Sequence, residues 1–280
     1  MRENIKNTLR LIKKRALTFW SVLVMNCFVY VIKPIILPGR NLMEESQILY
    51  GTYFFFFFRE GILAIIIFAL YPVANITALL IILTGYTEAL MLALKEELLH
   101  MWHEAQDHYK IYVKNSNAYE NDSNVRCRKD EIINTYIKNK LEEIAKTHAL
   151  NINLVKQLEH IFSGGIVVEF LLLIISFIAA LLGGLENTWS VVPYASMQVS
   201  MDCLTGQRLI DACTEFENAV YNCNWENFDV SNRKTVLLML QMSQKTVMLS
   251  AGGIATLNFK SLMSITRIVY SFIYLFYFRV

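Results

Sequence analysis

Charge is what this sequence has least of. Only 18% of its 280 residues are Asp, Glu, Lys or Arg, against about a quarter in ordinary soluble domains. Four prolines and eleven glycines argue against disorder and low complexity. The net charge of +2 leaves no basic surplus for nucleic acid. No GxSxG, P-loop, GxGxxG or HExxH is present, so nothing reads as an enzyme, and no cofactor is expected. The five cysteines (Cys27, Cys127, Cys203, Cys213, Cys223) are odd in number and lack CxxC or Cys/His spacing. They read as free thiols in lipid-facing or cytosolic positions, not as a zinc site. What remains is apolar: 55% hydrophobic residues and a mean hydropathy of +0.37, the composition of a membrane protein.

A bilayer core of about 30 Å takes roughly 20 apolar residues as a helix. Phe19 to Leu37 is the first such run, stopped by Pro38-Gly39, with Lys33 able to snorkel. It is too long for a cleavable signal and no small-x-small site follows it. Tyr53 to Leu94 is about twice the length one crossing needs. A helical hairpin would want a turn cluster at its middle, where there are only Pro72 and Asn75. One long helix that kinks at Pro72 and continues into water is the better reading. Ile161 to Leu185, interrupted only by Glu169, is the third span. Trp189 to about Phe216 is semi-polar and rich in small residues, as in a helix packed inside a bundle. Ser261 to Val280 is the fifth.

Lys and Arg set the sidedness. Residues 1–15 hold six basic residues against one Glu, Lys95 to Lys156 holds ten, and Arg208 to Lys260 holds five. The short connections near Arg40 and Glu186-Asn187 hold one between them. The positive-inside rule therefore predicts a cytosolic N-terminus and, after five crossings, an extracellular C-terminus. The sequons at Asn75 and Asn121 fall at membrane depth and on the cytosolic side, so neither is expected to carry glycan. The predicted organisation is a transmembrane part over 1–94 (spans about 19–37 and 53–92) and a cytosolic helical extension over 95–160. A second transmembrane part over 161–216, a cytosolic anchor segment over 217–260 and a terminal helix over 261–280 complete it. The fold class is an all-α membrane bundle of about five transmembrane helices plus cytosolic anchor helices.

Within the cytosolic extension, Ile132, Ile133, Tyr136, Ile137, Leu141, Ile144 and Ala145 form a helical stripe, with Glu142 and Glu143 near Lys138, Lys140 and Lys146. His100, His103 and His108 beside Glu104 invite a metal reading, but no further ligand set accompanies them. These, His148 and His160 read as solvated or interface histidines. The adjacent pairs Gly164-Gly165, Gly183-Gly184 and Gly252-Gly253 read as close packing or turns.

The last third carries a resemblance. Gly206-Gln207, "AVYNCNW" through Trp225, "SNRKTVLLMLQMSQK", "LSAGGIATLNFKSLMSI" and the closing Tyr270-Ser271-Phe272 resemble the C-terminal region of insect odorant receptors. The family usually has Gly-Glu where this chain has Gly206-Gln207. Upstream of about residue 200 the likeness is one of hydrophobicity pattern.

The resemblance implies an inverted seven-span protein of the plasma membrane, in agreement with the sidedness above. Members assemble as tetramers, generally with a shared co-receptor, into cation channels gated by small volatile ligands. The last helix lines the pore. Ser264, Ser271 and Tyr274 or Tyr277 would then give it a partly polar stripe, with Leu275 and Phe278 near the narrow gate, where a hydrophobic constriction blocks ions by dewetting. Arg267 is expected to snorkel or to pair at the anchor. Val230 to Lys245 reads as a helix capped by Ser231 at the subunit interface, with Arg233 and Lys234 on it. Tyr221 and Trp225, four apart, are expected on one face, in core or interface. The pocket would be mostly apolar, with Tyr30, Tyr71, Asn75, Tyr194 and Met197 as contact positions.

Five spans instead of seven imply that the family's first two are missing here, either because Met1 is a mis-called start or because the product is a truncation. Two other classes compete: a membrane-anchored scaffold, and a secondary transporter. The latter calls for related halves with matched broken helices, and no such repeat is visible.

Overall fold

Backbone amides in an apolar medium must be paired within their own segment, and a long apolar run achieves this as a helix. The computed structural model shows α1 (Arg2–Ile36), α2 (Thr52–Ser116), α3 (Ser123–Leu182), α4 (Val191–Tyr221), a 3-10 turn (Trp225–Asn227), α5 (Val230–Ser243), β1 (Ser250–Ala251), β2 (Ala255–Thr256) and α6 (Phe259–Phe278). It describes the backbone of residues 2–36, 52–116, 123–182, 191–245 and 247–278. Side chains are described for 6–22, 24–25, 75–114, 128–174, 196–245, 247–271 and 274. Pro38-Gly39, Arg40, Gly183-Gly184 and Glu186-Asn187 lie outside the described residues, as does Asn121.

The described parts of the five apolar runs each fall on a separate helix. α2 runs unbroken through Pro72 for 65 residues, as the missing turn cluster requires. Among the described residues, Asn75–Lys114 and Arg128–Ile174 are long and apolar enough to cross a membrane.

The chain divides into two units, and α1 to α4 each contribute to both. The first comprises residues 1–9, 85–157 and 208–248. Its core is built on alternating three- and four-residue spacing, which keeps side chains on one helical face. Met91, Leu94, Leu98, Met101 and Ala105 come from α2, and Ile133, Ile137, Leu141 and Ile144 from α3. Phe216, Val220 and Cys223 join from α4 and the turn after it, with Val236 and Met239 from α5. The predicted stripe on α3 is thus sorted: Ile133, Ile137, Leu141 and Ile144 are buried, while Ile132, Tyr136 and Ala145 sit at its margins. Each fully buried aliphatic or Phe side chain contributes roughly 1.5–3 kcal/mol.

Polar ties surround this core. Asn134 on α3 accepts from the Asp229 amide (3.0 Å) through Oδ1, and its carbonyl accepts from Asn232 Nδ2 (2.9 Å). The N-cap of α5 is Asp229, whose carboxylate accepts from the Asn232 amide at 2.9 Å. Ser231, the predicted cap, is already inside the helix. His148 is another departure. It is buried and stacked on Phe216, ring centroids 4.4 Å apart, because it continues the apolar stripe four residues after Ile144. His100, His103, His108 and His160 are exposed as expected.

The second unit comprises residues 10–84, 158–207 and 249–280. In it, Gly252 and Gly253 adopt positive φ (59° and 73°), a conformation that glycine takes without steric cost in the tight three-residue loop of Gly252, Gly253 and Ile254. They join β1 to β2, and Ser250 Oγ donates to Glu159 Oε1 on α3 at 2.7 Å. The predicted anchor segment therefore contains this small hairpin as well as α5. At Gly206 on α4 the backbone approaches Leu257 so closely that an added Cβ would lie 2.2 Å from the Leu257 carbonyl oxygen and 2.6 Å from its Cβ. Next to it, Gln207 Oε1 accepts from the Phe259 amide at 3.3 Å. The start of α6 is also capped by Asn258, whose Oδ1 accepts from the Ser261 amide at 2.8 Å.

Two outcomes follow from this packing. Gly206→Ala places a methyl against backbone that cannot swing aside, and should destabilise the protein by about 1–3 kcal/mol, read as a lowered unfolding temperature in detergent. Burial lowers the His148 pKa from 6.5 to about 4, so the unfolded chain takes up a proton that the folded chain refuses. That contribution is complete above pH 6.5 and is lost as pH falls from there towards 4. Over that interval wild type should lose roughly 3 kcal/mol more than His148→Leu, as measured by denaturant unfolding at several pH values.

Candidate functional site

The exposed side of α6 has an internal order. At about 100° per residue, Lys260, Ser264, Arg267, Ser271 and Tyr274 fall within about 80° of one another, and all five are exposed. Met263 and Tyr270 flank this stripe on one side and Ile268 on the other, each exposed as well. Ser261, Leu262, Ile265 and Val269 turn to the opposite, half-buried side. The helix thus presents a polar strip with apolar shoulders along its length. Ser271 and Tyr274 lie on it. The backbone positions of Leu275 and Phe278 continue the same rotation, at its edge and centre, while their side chains lie outside the described residues. Arg267 shares the strip with the serines, which the sequence had not suggested. Ser264 turns its hydroxyl to the Lys260 carbonyl at 3.0 Å and Thr266 to that of Leu262 at 2.8 Å.

The predicted pocket positions fall on three helices of the second unit: Tyr30 on α1, Tyr71 and Asn75 on α2, Tyr194 and Met197 on α4. The side chains of Tyr30, Tyr71 and Tyr194 lie outside the described residues. Asn75 is half-buried, and Met197 packs against Ala16, Phe19 and Ile81. Immediately beside Asn75 and Met197 is a polar cluster that the sequence reading passed over. Thr77 from α2, Glu169 from α3, and Gln198 and Asp202 from α4 are all buried. Gln198 Nε2 donates to Glu169 Oε1 and to the Thr77 hydroxyl. Thr77 donates to Glu169 Oε2 at 3.3 Å. Glu169 had stood out only as the one charge in its span. Its partners are 92 and 29 residues away, so only their polarity within apolar runs marked them.

In the first unit the anchor residues separate. Arg233 Nε donates to the Phe228 carbonyl (2.7 Å) and its Nη2 to that of Glu226 (2.9 Å), clamping the 3-10 turn onto α5. The guanidinium is thus engaged with the chain's own backbone. Lys234 is exposed. Tyr221 and Trp225 do not share a helical face: α4 ends at Tyr221, and Asn224 turns left-handed (φ 58°) before Trp225. Tyr221 is left exposed while Trp225 packs on the core. Missed instead was an aliphatic surface on α5, where Val230, Leu237, Leu238 and Met242 are exposed.

The remaining polar groups of this unit are structural. Lys95 on α2 bonds Glu215 on α4 at 3.1 Å, which raises the lysine pKa, and Arg208 pairs with Glu88 at 3.5 Å. Partly exposed pairs of this kind contribute about 0–1 kcal/mol. Burial pushes the Cys223 thiol up to about 11, a protonated and unreactive group. Cys203 is buried as well and Cys213 half-buried, all three as free thiols. They are free, as expected, and sit in packed positions.

Comparisons with known proteins agree with this architecture. The 7tm Odorant receptor family matches residues 2–270. Odorant receptor 22a of Drosophila melanogaster is 24% identical over 156 residues, covering 53% of this chain and 39% of that receptor, and Odorant receptor 22b gives the same figures. Odorant receptor 30a of the same fly is 39% identical over 54 residues, 19% of this chain and 14% of that one. The chain spans well under half the length of these curated relatives. The solved insect olfactory receptor OR5 from Machilis hrabei superposes with a TM-score of 0.65 at 12% identity, covering 100% of this chain and 70% of that one. Its complex with eugenol gives 0.65 at 11% identity, with 99% and 69% covered. At such identity the likeness is one of fold, that of an all-α membrane protein. With the family match running almost from end to end, the chain belongs to the 7tm odorant receptor family.

Proposed function

We propose that the chain acts as an odorant receptor subunit of a ligand-gated cation channel, assembled with a co-receptor and activated by small volatile molecules. The observation that carries this reading is the polar strip along the exposed side of α6. A helix facing only lipid has no use for Ser264, Ser271 and Tyr274 in register, whereas a helix lining a water-filled path does, with Lys260 and Arg267 nearer its cytosolic end reaching for the membrane surface. On this reading Ser271 and Tyr274 line the path, and Leu275 and Phe278 form its hydrophobic constriction. The exposed aliphatic side of α5, near Lys234 and Tyr221, meets neighbouring subunits. Tyr30, Tyr71, Asn75, Tyr194 and Met197 contact the ligand. The protein sits in the plasma membrane with its N-terminus in the cytosol and its C-terminus outside. This role is that of a receptor and channel, not of an enzyme.

A membrane-anchored scaffold is the competing role, and the aliphatic face of α5 is the feature it would use. Co-expression with the family co-receptor, in cells lacking both, separates the two. Volatile-evoked cation current above that of the co-receptor alone is expected. Replacing Leu275 or Phe278 by Ala should raise basal current or alter the evoked current severalfold. Unchanged currents in both variants, with partner capture lost on Leu237→Glu, would assign the scaffold role instead.

A further inference from the structure

Where α1 enters the second unit, it has two opposite sides. Ile12, Ala16 and Phe19 are buried, and at about 100° per residue they fall within about 60° of one another. Arg10, Lys13 and Lys14 lie on the other side and are exposed, as are Leu17 and Trp20 further along. These five fall within about 120°. Spacings of three and four residues make Arg10 a helical neighbour of both lysines, with Cβ atoms about 5–6 Å apart. Like charges so placed repel, and no acid on the helix offsets them, since the sequence has none between Glu3 and Glu44. Among the described residues, no ion pair holds any of the three. α1 begins at Arg2, more than two turns earlier, so this basic face is not the end of the helix.

The order along the face defines the partner. Lys14 and Trp20 are six residues apart, roughly 9 Å along the axis. The headgroup layer beside the hydrocarbon is about 5–8 Å thick. Indole favours the inner boundary of that layer, and Trp20 stands where the first apolar run begins. With Trp20 at the boundary, the long lysine side chains reach the phosphates, and Arg10, one turn further out, closes over them. Leu17 and Trp20 then offer apolar contact to glycerol and the first acyl carbons, which a dissolved anion lacks. We propose that Arg10, Lys13 and Lys14, with Leu17 and Trp20 beneath them, bind the headgroup of an anionic phospholipid of the cytosolic leaflet. Such lipids are concentrated in that leaflet, so the site rests on the cytosolic N-terminus of the proposed function and is independent of channel activity.

The test is the unfolding temperature of the full chain in nanodiscs of phosphatidylcholine, with and without phosphatidylserine. It reads no current, so a silent channel leaves the site standing and a failed lipid response leaves the channel role standing. Phosphatidylserine should raise the temperature by about 2–4 °C, and the rise should shrink as salt screens it. Replacing Arg10, Lys13 and Lys14 together by Gln should abolish it. Replacing Lys114, Lys138 and Lys146, three exposed lysines elsewhere, removes the same net charge and should leave it intact. A second readout is the fluorescence of Trp20, taken as the difference between wild type and Trp20→Phe. Brominated phosphatidylserine should quench it more than brominated phosphatidylcholine at the same fraction. Soluble glycerophosphoserine should leave the unfolding temperature unchanged. An unfolding temperature that ignores phosphatidylserine, or equal quenching by the two brominated lipids, would overturn the proposal. So would equal losses in the two triple variants, which would mean net charge alone, or an equal rise with the soluble headgroup, which would mean a site for free anions.

Discussion

The arrangement of the second unit depends on one close approach, that of the Gly206 backbone to Leu257. With no side chain on α4 at that point, the chain leaving β2 lies directly against the helix. Three consequences are built on this contact. Leu257 is buried and its amide bonds the Leu249 carbonyl at 2.9 Å, closing the hairpin end. Gln207, one residue further along α4, reaches the first amide of α6. Asn258, one residue beyond Leu257, caps that helix. A single residue type thus sets where α6 begins, and the rotation of α6 about its axis decides which of its residues form the polar strip.

Long helices and the stripe of the first unit were legible because they depend on local periodicity. Ile133, Ile137, Leu141 and Ile144 announce their common face through spacing alone, as do the five positions of α2. The unbroken course of α2 followed from a missing turn signal at its centre. What escaped depends on partners distant in sequence. Asp229 caps α5 in place of Ser231, and Asn134, 95 residues earlier, accepts from its amide. Burial of His148 was hidden because an imidazole in a helix reads as polar until Phe216 is placed against it. The β1–β2 hairpin of two residues per strand is too short to show alternation. Only its paired glycines pointed to a turn.

The candidate residues divide along the same line. The common strip of Ser271 and Tyr274 was legible because residues on one helical face are related by local spacing alone. The bonds of Arg233 were not legible, because its donors go to carbonyls of Glu226 and Phe228, atoms that no side-chain pattern reveals. The cluster of Thr77, Glu169, Gln198 and Asp202 assembles one residue or two from each of three helices. In the sequence each is a solitary blemish in an apolar run. Together they are the polar centre of the described part of the second unit.

The ties that α4 makes to other helices differ in electrical character. Lys95 with Glu215 and Arg208 with Glu88 join α2 to α4 by full charges near solvent, which dissolved salt screens over about 8–10 Å. The Gln207 tie from α4 to α6 is made by a neutral amide. It has no proton to gain or lose in acid and no field for salt to screen. The foothold of the terminal helix is therefore indifferent to swings in acidity and ionic strength in the fluid around it, where a carboxylate at the same place would have responded to both.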